Sequence, residues 1–329
     1  MGQVARCPRG TPVSDVICPA CGGSHWLAEA IVSDMTDGTP YRLKRCHDCG
    51  LVRTVLDPDE ARSVLAERHH VGNRADAATR FSPAVEQILR KLRRSRANRI
   101  AALAPRSSGS VLEIGCGRGE LLAELSSMGF RVRGTELSDS IAASARNRGI
   151  DVHCDPLHAD SFSPGEFDMV VMWHVIEHLQ RPDQVLQWCR RWLKADGAVV
   201  VAAPNLDSWQ ARVAGSGWLH LDVPRHRWHF SLSTLARLAA RTGLSIDSTI
   251  QFSLEYGPFG WTDALAVRVF GDHRLFTDVL RRRDSGWRRR RAQIPAFTLT
   301  GVVSGLAIPL EALAAWRGAG GAPVVVLRH

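Results

Sequence analysis

From residue 82 onward, compact apolar runs alternate with stretches in which apolar residues return every three or four positions. Val111 to Ile114, Arg131 to Glu136, Ile150 to Cys154, Phe167 to Met172 and Ala198 to Ala203 read as strands, the first of them a buried parallel one. Ahead of them, Val85, Ile88, Leu89, Leu92, Ile100 and Leu103 share one helical face behind the cap pair Ser82-Pro83, so this helix is expected to pack on the sheet. Leu232 to Arg241 reads as a further helix, Leu244 to Phe252 as a sixth strand and Pro323 to Arg328 as the last. Strands alternating with helices predict an α/β domain.

The turn after the first of these strands carries the most chemistry. In Glu113-Ile114-Gly115-Cys116-Gly117-Arg118-Gly119-Glu120 three glycines let the backbone turn sharply and approach a ligand, and the helix that follows offers free N–H groups. A dinucleotide-binding unit wants G-x-G-x-x-G/A, but position 120 is glutamate, which weakens a nicotinamide reading. The second strand ends in Glu136, placed to accept hydrogen bonds from ribose hydroxyls, and spacing alone leaves either nucleotide cofactor open.

The ordered set that follows narrows the choice: Asp155 after the third strand, Trp173-His174-Val175-Ile176-Glu177-His178-Leu179 after the fourth, and Asp196-Gly197 through Pro204-Asn205 around the fifth. It resembles the class I S-adenosylmethionine-dependent methyltransferases over about residues 82 to 252 plus the last strand. The resemblance implies a doubly wound, seven-stranded, mostly parallel Rossmann-like sheet whose last strand is antiparallel. It implies that Gly115, Gly117 and Gly119 cradle the methionine portion of S-adenosylmethionine, with Cys116 lining the turn and Glu113 orienting it. Glu136 then holds the ribose, Asp155 faces the adenine edge, and Trp173 or His174 closes the pocket. Methyl transfer to a hydroxyl also needs a proton acceptor. His226, His229, His174 and His178 are the candidates, with His226 favoured. Asp222 to Ser231 resembles a D-x-P-x-H-x-x-H-F-S segment of this branch, and the loop from Trp218 to His229 is expected to lie over the acceptor as a lid.

The N-terminal residues follow another logic. Cys18-Pro19-Ala20-Cys21-Gly22 and Cys46-His47-Asp48-Cys49-Gly50 are two C-x-x-C-G knuckles, and His25 to Val32 and Tyr41 to Arg45 between them read as two strands around a turn at 34–38. Two intervening residues let both thiolates face one ion. Cys18, Cys21, Cys46 and Cys49 therefore predict a zinc ribbon whose closed, structural Zn2+ leaves no position for water. Cys7, Cys116, Cys154 and Cys189 lack partners at ligand spacing. The expected organisation is a zinc-ribbon module at 1–56, a link at 57–81 containing His69-His70, a catalytic core at 82–252, a helical insertion at 253–322, and the last strand at 323–329.

Composition changes this picture little. A 45% hydrophobic content supports a real core, and the net charge of +9 is concentrated in two arginine-rich runs at 90–99 and 281–291. All but Lys44, Lys91 and Lys194 among the 42 basic residues are arginine, a compositional bias that makes the basic charge weak support for a nucleic-acid partner. The first run is expected on the solvated face of its helix. The stretch 294–316 is nearly uncharged, but Pro309 and Glu311 argue for a packed or interfacial helix over a membrane span, with 281–316 as the region for any peripheral membrane contact. No apolar leader precedes the first knuckle, which predicts a cytoplasmic protein. The expected function is methylation of a small-molecule acceptor: a sugar, a lipid-linked intermediate or a secondary metabolite. The alternatives are an RNA methyltransferase whose ribbon binds nucleic acid and a noncatalytic scaffold that keeps the fold. The intact glycine turn and Glu136 speak against the scaffold, and the fifth strand lacks the N-P-P-[YF] ending of adenine-N6 enzymes.

Overall fold

Two sheets share one molecule in the computed structural model, which describes residues 16–57, 60, 83–270 and 305–329. Cys7, His69-His70 and most of the link around them, the arginine run 281–291 and the apolar stretch before residue 305 lie outside the described residues.

The larger sheet is built from β4 (Ser110–Ile114), β5 (Arg131–Thr135), β6 (Asp151–His153), β7 (Phe167–Trp173), β8 (Leu193–Ala202), β10 (Ser245–Ile250) and β11 (Val324–Arg328). Its order is β10-β11-β8-β7-β4-β5-β6. β4 pairs in parallel with β5 and β7, and the parallel set extends to β6 and β8. β11 alone runs against its neighbours β8 and β10. This is the expected seven-stranded, mostly parallel Rossmann-like sheet. β4 and β7 are buried along nearly their whole length because helices cover both faces, which is why their sequences read as continuous apolar runs. From β4 the chain winds outward through β5 and β6, then returns to place β7 on the other side of β4. The crevice at the carboxyl ends of β4, β5 and β7 is thus the topological switch point where ligands of open α/β sheets bind.

The helices are α1 (Pro83–Leu103), α2 (Glu120–Ser127), α3 (Asp139–Arg146), α4 (Pro182–Trp192), α5 (Trp209–Ala214), α6 (Leu232–Arg241), α7 (Gly257–Phe270) and a last helix, α8, at 305–316. α6 begins with a reciprocal capping box between Ser231 and Thr234. Glu177-His178 lies in a separate 3-10 turn, Ile176–His178, and Pro182 starts α4. In α1, Ala97 and Ile100 are buried but Ile88 is exposed, so the apolar face docks chiefly through the C-terminal half. α8 packs on Trp261 of α7 through Ala307 and Ala314. Among the described residues no helix is long and apolar enough to cross a membrane.

At the opposite, amino end of the sheet Asp168 accepts hydrogen bonds from Ser110 N at 2.8 Å and from Lys194 Nζ at 2.6 Å, and also pairs with Arg106. This ties the starts of β4, β7 and β8 together, away from the crevice.

The smaller sheet has the order β1-β2-β3-β9, all neighbours antiparallel. β1 (Trp26–Ser33), β2 (Pro40–Cys46) and β3 (Val52–Thr54) come from the N-terminal module, but β9 (Trp228–His229) comes from the far side of the chain. Val52 pairs with His229 and Arg53 with Trp228. Val32, Leu43 and Val52 bury against Trp218, Leu221 and Val223. The loop expected as a lid is therefore largely the seam that holds the N-terminal module to the catalytic core. Hydrophobic residues in it are buried because they have a sheet to cover.

Candidate functional site

The crevice is shaped first by backbone conformation. Gly117 adopts φ +55° with open space where a Cβ would stand, and Gly119 adopts φ +70° with its would-be Cβ 2.7 Å from Ile150 and 2.8 Å from Ala145. Only glycine serves both, the first for ligand approach and the second for helix packing. Cys116, just before Gly117, is buried, and burial pushes its thiol well above the ordinary range, as befits a lining residue with no nucleophilic role. Glu136 follows β5 and accepts from Gly117 N at 3.2 Å and Ser138 N at 3.0 Å, so its carboxylate is already held beside the glycine turn. Asp155 is exposed just beyond β6, the neighbour of β5.

Glu113 is buried at the end of β4, and its Oε2 has no hydrogen-bond partner. Burial lifts its carboxyl to about 8 against the opposing pull of Arg96. Arg96 departs from expectation. Instead of facing solvent, it lies 4.8 Å over the Trp173 ring and pairs with Glu255, whose Oε2 accepts from Arg96 Nε at 3.0 Å. Tyr256 follows, its ring 4.2 Å from that of His174, and burial raises its phenol to about 12. α1, the end of β7 and the turn before α7 thus close one wall of the crevice. Arg96, Glu255 and Tyr256 escaped sequence reasoning because a charge run gives no sign of which member turns inward.

The second wall is polar and centred on Glu177. His174 stands directly after β7 in a left-handed conformation, φ +54°, with Nδ1 3.3 Å from Glu177 Oε1 and Nε2 buried without a partner. His226 Nε2 approaches Glu177 Oε1 at 3.9 Å and Asp222 Oδ2 at 3.8 Å. The rings of His178 and His226 meet edge to face at 4.6 Å. Burial pushes the Glu177 carboxyl up, but the hydrogen bond from His174 and the neighbouring imidazoles of His226 and His178 outweigh it and hold it at about 2. Three of the four candidate histidines therefore converge on one carboxylate.

The fourth does not. His229 lies in β9 with Nε2 3.0 Å from Thr54 Oγ1, and the Thr54 hydroxyl donates to His226 O at 2.7 Å. That hydroxyl has one proton, so His229 must be the donor to it, and burial lowers His229 to about 3. A neutral, donating imidazole in the seam belongs to structure. Arg225 spans the same seam, pairing with Asp222 at 2.6 Å and with Asp34 of the N-terminal module at 3.2 Å. Thr54 N also donates to Arg227 O, and Arg227 N to Glu177 O. The N-terminal sheet thus reaches the Glu177 wall in two hydrogen bonds.

At the other end of that sheet the four expected cysteines converge, with their Sγ atoms all within 4.8 Å of one another. Cys18 and Cys49 are 3.5 Å apart, as are Cys21 and Cys46. A tetrahedral ion with bonds of about 2.3 Å needs sulfurs roughly 3.8 Å apart, so the cluster fits such an ion with little movement. Gly23 N points at Cys21 Sγ at 3.4 Å, the kind of donor a bound thiolate requires. This cluster is compatible with a zinc ribbon.

Known proteins resemble this chain over its catalytic core. The profile of a family described as a methyltransferase domain matches residues 85–249. A ubiquinone biosynthesis O-methyltransferase of Caulobacter vibrioides is 30% identical over 169 residues, covering 48% of this chain and 67% of the relative. Its counterpart in Thiobacillus denitrificans is 29% identical over 157 residues, covering 44% and 68%. A solved methyltransferase from Archaeoglobus fulgidus is 17% identical, covering 73% of this chain and 94% of that one with a TM-score of 0.46.

Proposed function

Because the chain belongs to the methyltransferase domain family and is an S-adenosylmethionine-dependent methyltransferase of small molecules, we propose that it methylates a hydroxyl of a lipid-linked or other small acceptor. The observation that carries the reading is the meeting, at the carboxyl ends of β4, β5 and β7, of the glycine turn and Glu136 with the wall of His174, Glu177, His178 and His226. The names of the relatives, O-methyltransferases of ubiquinone biosynthesis, support oxygen as the methylated atom.

S-adenosylmethionine supplies an electrophilic methyl group on a sulfonium. The close-approaching backbone of the Gly115 to Gly119 turn and the buried Glu113 form the cradle for its methionine end, Glu136 takes the ribose hydroxyls, and Asp155 and Trp173 flank the adenine. The chain then has to hold the acceptor oxygen in line and remove its proton. His174 is suited to the second task. Its Nδ1–H donates to Glu177, which leaves the Nε2 lone pair as acceptor, in the orientation logic of a carboxylate-backed imidazole. As the O–CH3 bond forms and the S–CH3 bond breaks, the hydroxyl proton passes to that nitrogen. His178 and His226 line the same wall and orient the acceptor.

The four cysteines hold a structural Zn2+ that fixes the ribbon, and the ribbon in turn braces the acceptor wall through Thr54 and Arg225. Leu306, Ile308, Leu313 and Trp316 of α8 are exposed and give an apolar face for peripheral contact with a membrane that carries a lipid-linked acceptor. The test is incubation with methyl-labelled S-adenosylmethionine and fractionated cell extract. Alkali-stable label in lipid or small-molecule ethers is expected, and label confined to RNA or protein overturns the reading.

A further inference from the structure

We propose that Glu177, His178 and His226 form a second metal site, separate from the cysteines, that takes a first-row divalent cation. The inference rests on the hydroxyl-methylation reading only for its purpose, since these residues form the proposed acceptor wall. Its geometry stands alone.

Three observations converge. One carboxylate oxygen of Glu177 and one ring nitrogen each from His178 and His226 lie within 4.8 Å of one another, close enough for shifts of about an ångström to reach bonds of about 2.1 Å. Both imidazoles are oriented as metal ligands are. His178 Nδ1 donates to Arg225 O at 2.8 Å and His226 Nδ1 to His220 O at 2.8 Å, which fixes each tautomer, and His226 Nε2 lies 3.9 Å from Glu177 Oε1. Finally, Glu177 is 1% exposed and its Oε2 has no hydrogen-bond partner. A buried carboxylate oxygen left unpaired is costly, and a cation removes that cost.

The donor set selects the ion. Two imidazoles and one carboxylate are the ligands of catalytic zinc sites and of two-histidine, one-carboxylate iron sites, and both keep positions open for another ligand. Mg2+ and Ca2+ prefer all-oxygen shells, so Zn2+, Mn2+ or Fe2+ fits better. Because these three residues line the wall assigned to the acceptor, a cation held by them would be placed to grip the acceptor oxygen and make its hydroxyl more acidic.

Mn2+ separates this site from the cysteines, because it favours nitrogen and oxygen over thiolate. The full chain with its ribbon zinc in place is titrated with Mn2+, and free Mn2+ is followed by electron paramagnetic resonance. One bound equivalent beyond the zinc is expected. Glu177→Gln and the half-buried His178→Ala should each weaken it at least tenfold while leaving S-adenosylmethionine affinity within about twofold, and Cys18→Ser should leave the Mn2+ equivalent in place. If Glu177→Gln fails to fold, as lost cofactor binding would show, His178→Ala decides. Absence of the extra equivalent, or variants that bind Mn2+ like the parent, overturns the site. Hydroxyl methylation by protein that holds no second cation discards the metal and keeps the enzyme reading; a second cation with no hydroxyl methylation does the reverse.

Discussion

Thr54 of the N-terminal sheet and His229 of the catalytic core meet through a 3.0 Å hydrogen bond in the buried seam between them. Thr54 also reaches onward, through its 2.7 Å bond to His226 O. Thr54→Val keeps the shape but strands the His229 N–H and the His226 carbonyl. Leaving buried polar groups unpaired costs about 1–3 kcal/mol each. Chemical denaturation should therefore show a loss of about 2 kcal/mol or more, with S-adenosylmethionine affinity retained. A variant as stable as the parent would mean that the seam is not held there.

Cofactor affinity should depend on Glu136. Its carboxylate already receives two backbone N–H bonds beside the glycine turn and is poised for charge-assisted bonds to ribose. Glu136→Ala is expected to weaken S-adenosylmethionine binding at least about tenfold in calorimetry, from a loss of about 1.5–3 kcal/mol. Unchanged affinity, or a preference for a nicotinamide nucleotide, would remove Glu136 from the site.

The cysteine cluster should act on turnover without touching the cofactor. Cys18→Ser and Cys46→Ser are expected to abolish the single zinc detected by metal analysis and loosen the N-terminal sheet. Because that sheet braces His226 and Arg227, methyl transfer should fall while S-adenosylmethionine affinity holds. Full zinc occupancy in both variants would exclude these ligands.

Glu113 makes stability depend on pH. Its folded carboxyl sits at about 8 and its ordinary value is 4.5, so folding favours the protonated form. Its contribution is complete below about 4.5 and is lost as pH rises through 8, at up to about 1.4 kcal/mol per pH unit. Glu113→Gln, which cannot ionise, should gain on the parent steadily from pH 5 to 8 in denaturation experiments. A constant difference across that window would show that Glu113 is ionised in the folded chain.

What the sequence disclosed and what it hid divide along sequence separation. β4, the glycine turn and Glu136 are local: a run of apolar residues, three glycines and an acid at the end of the next strand specify themselves. The two cysteine knuckles are equally explicit, since two residues separate the cysteines of each pair and a glycine follows each. Arg96 was hidden because its inward partners, Trp173 and Glu255, lie 77 and 159 positions away. The segment around Trp218 to His229 reads as a histidine-rich loop from its own residues. Only the uncovered edge of β3 makes it a strand, and nothing near residue 228 signals that edge.

The two-residue strand β9 also sets a timetable for synthesis. Thr54 waits for a partner 175 residues downstream. At translation rates of about 5–20 residues per second, the N-terminal module spends roughly 9–35 seconds outside the ribosome with the edge of β3 bare and Val32, Leu43 and Val52 lacking the cover of the later segment. A nascent chain in that interval is open to edge-to-edge pairing with its neighbours on the same messenger, and early capture of zinc by Cys18, Cys21, Cys46 and Cys49 would be its main defence.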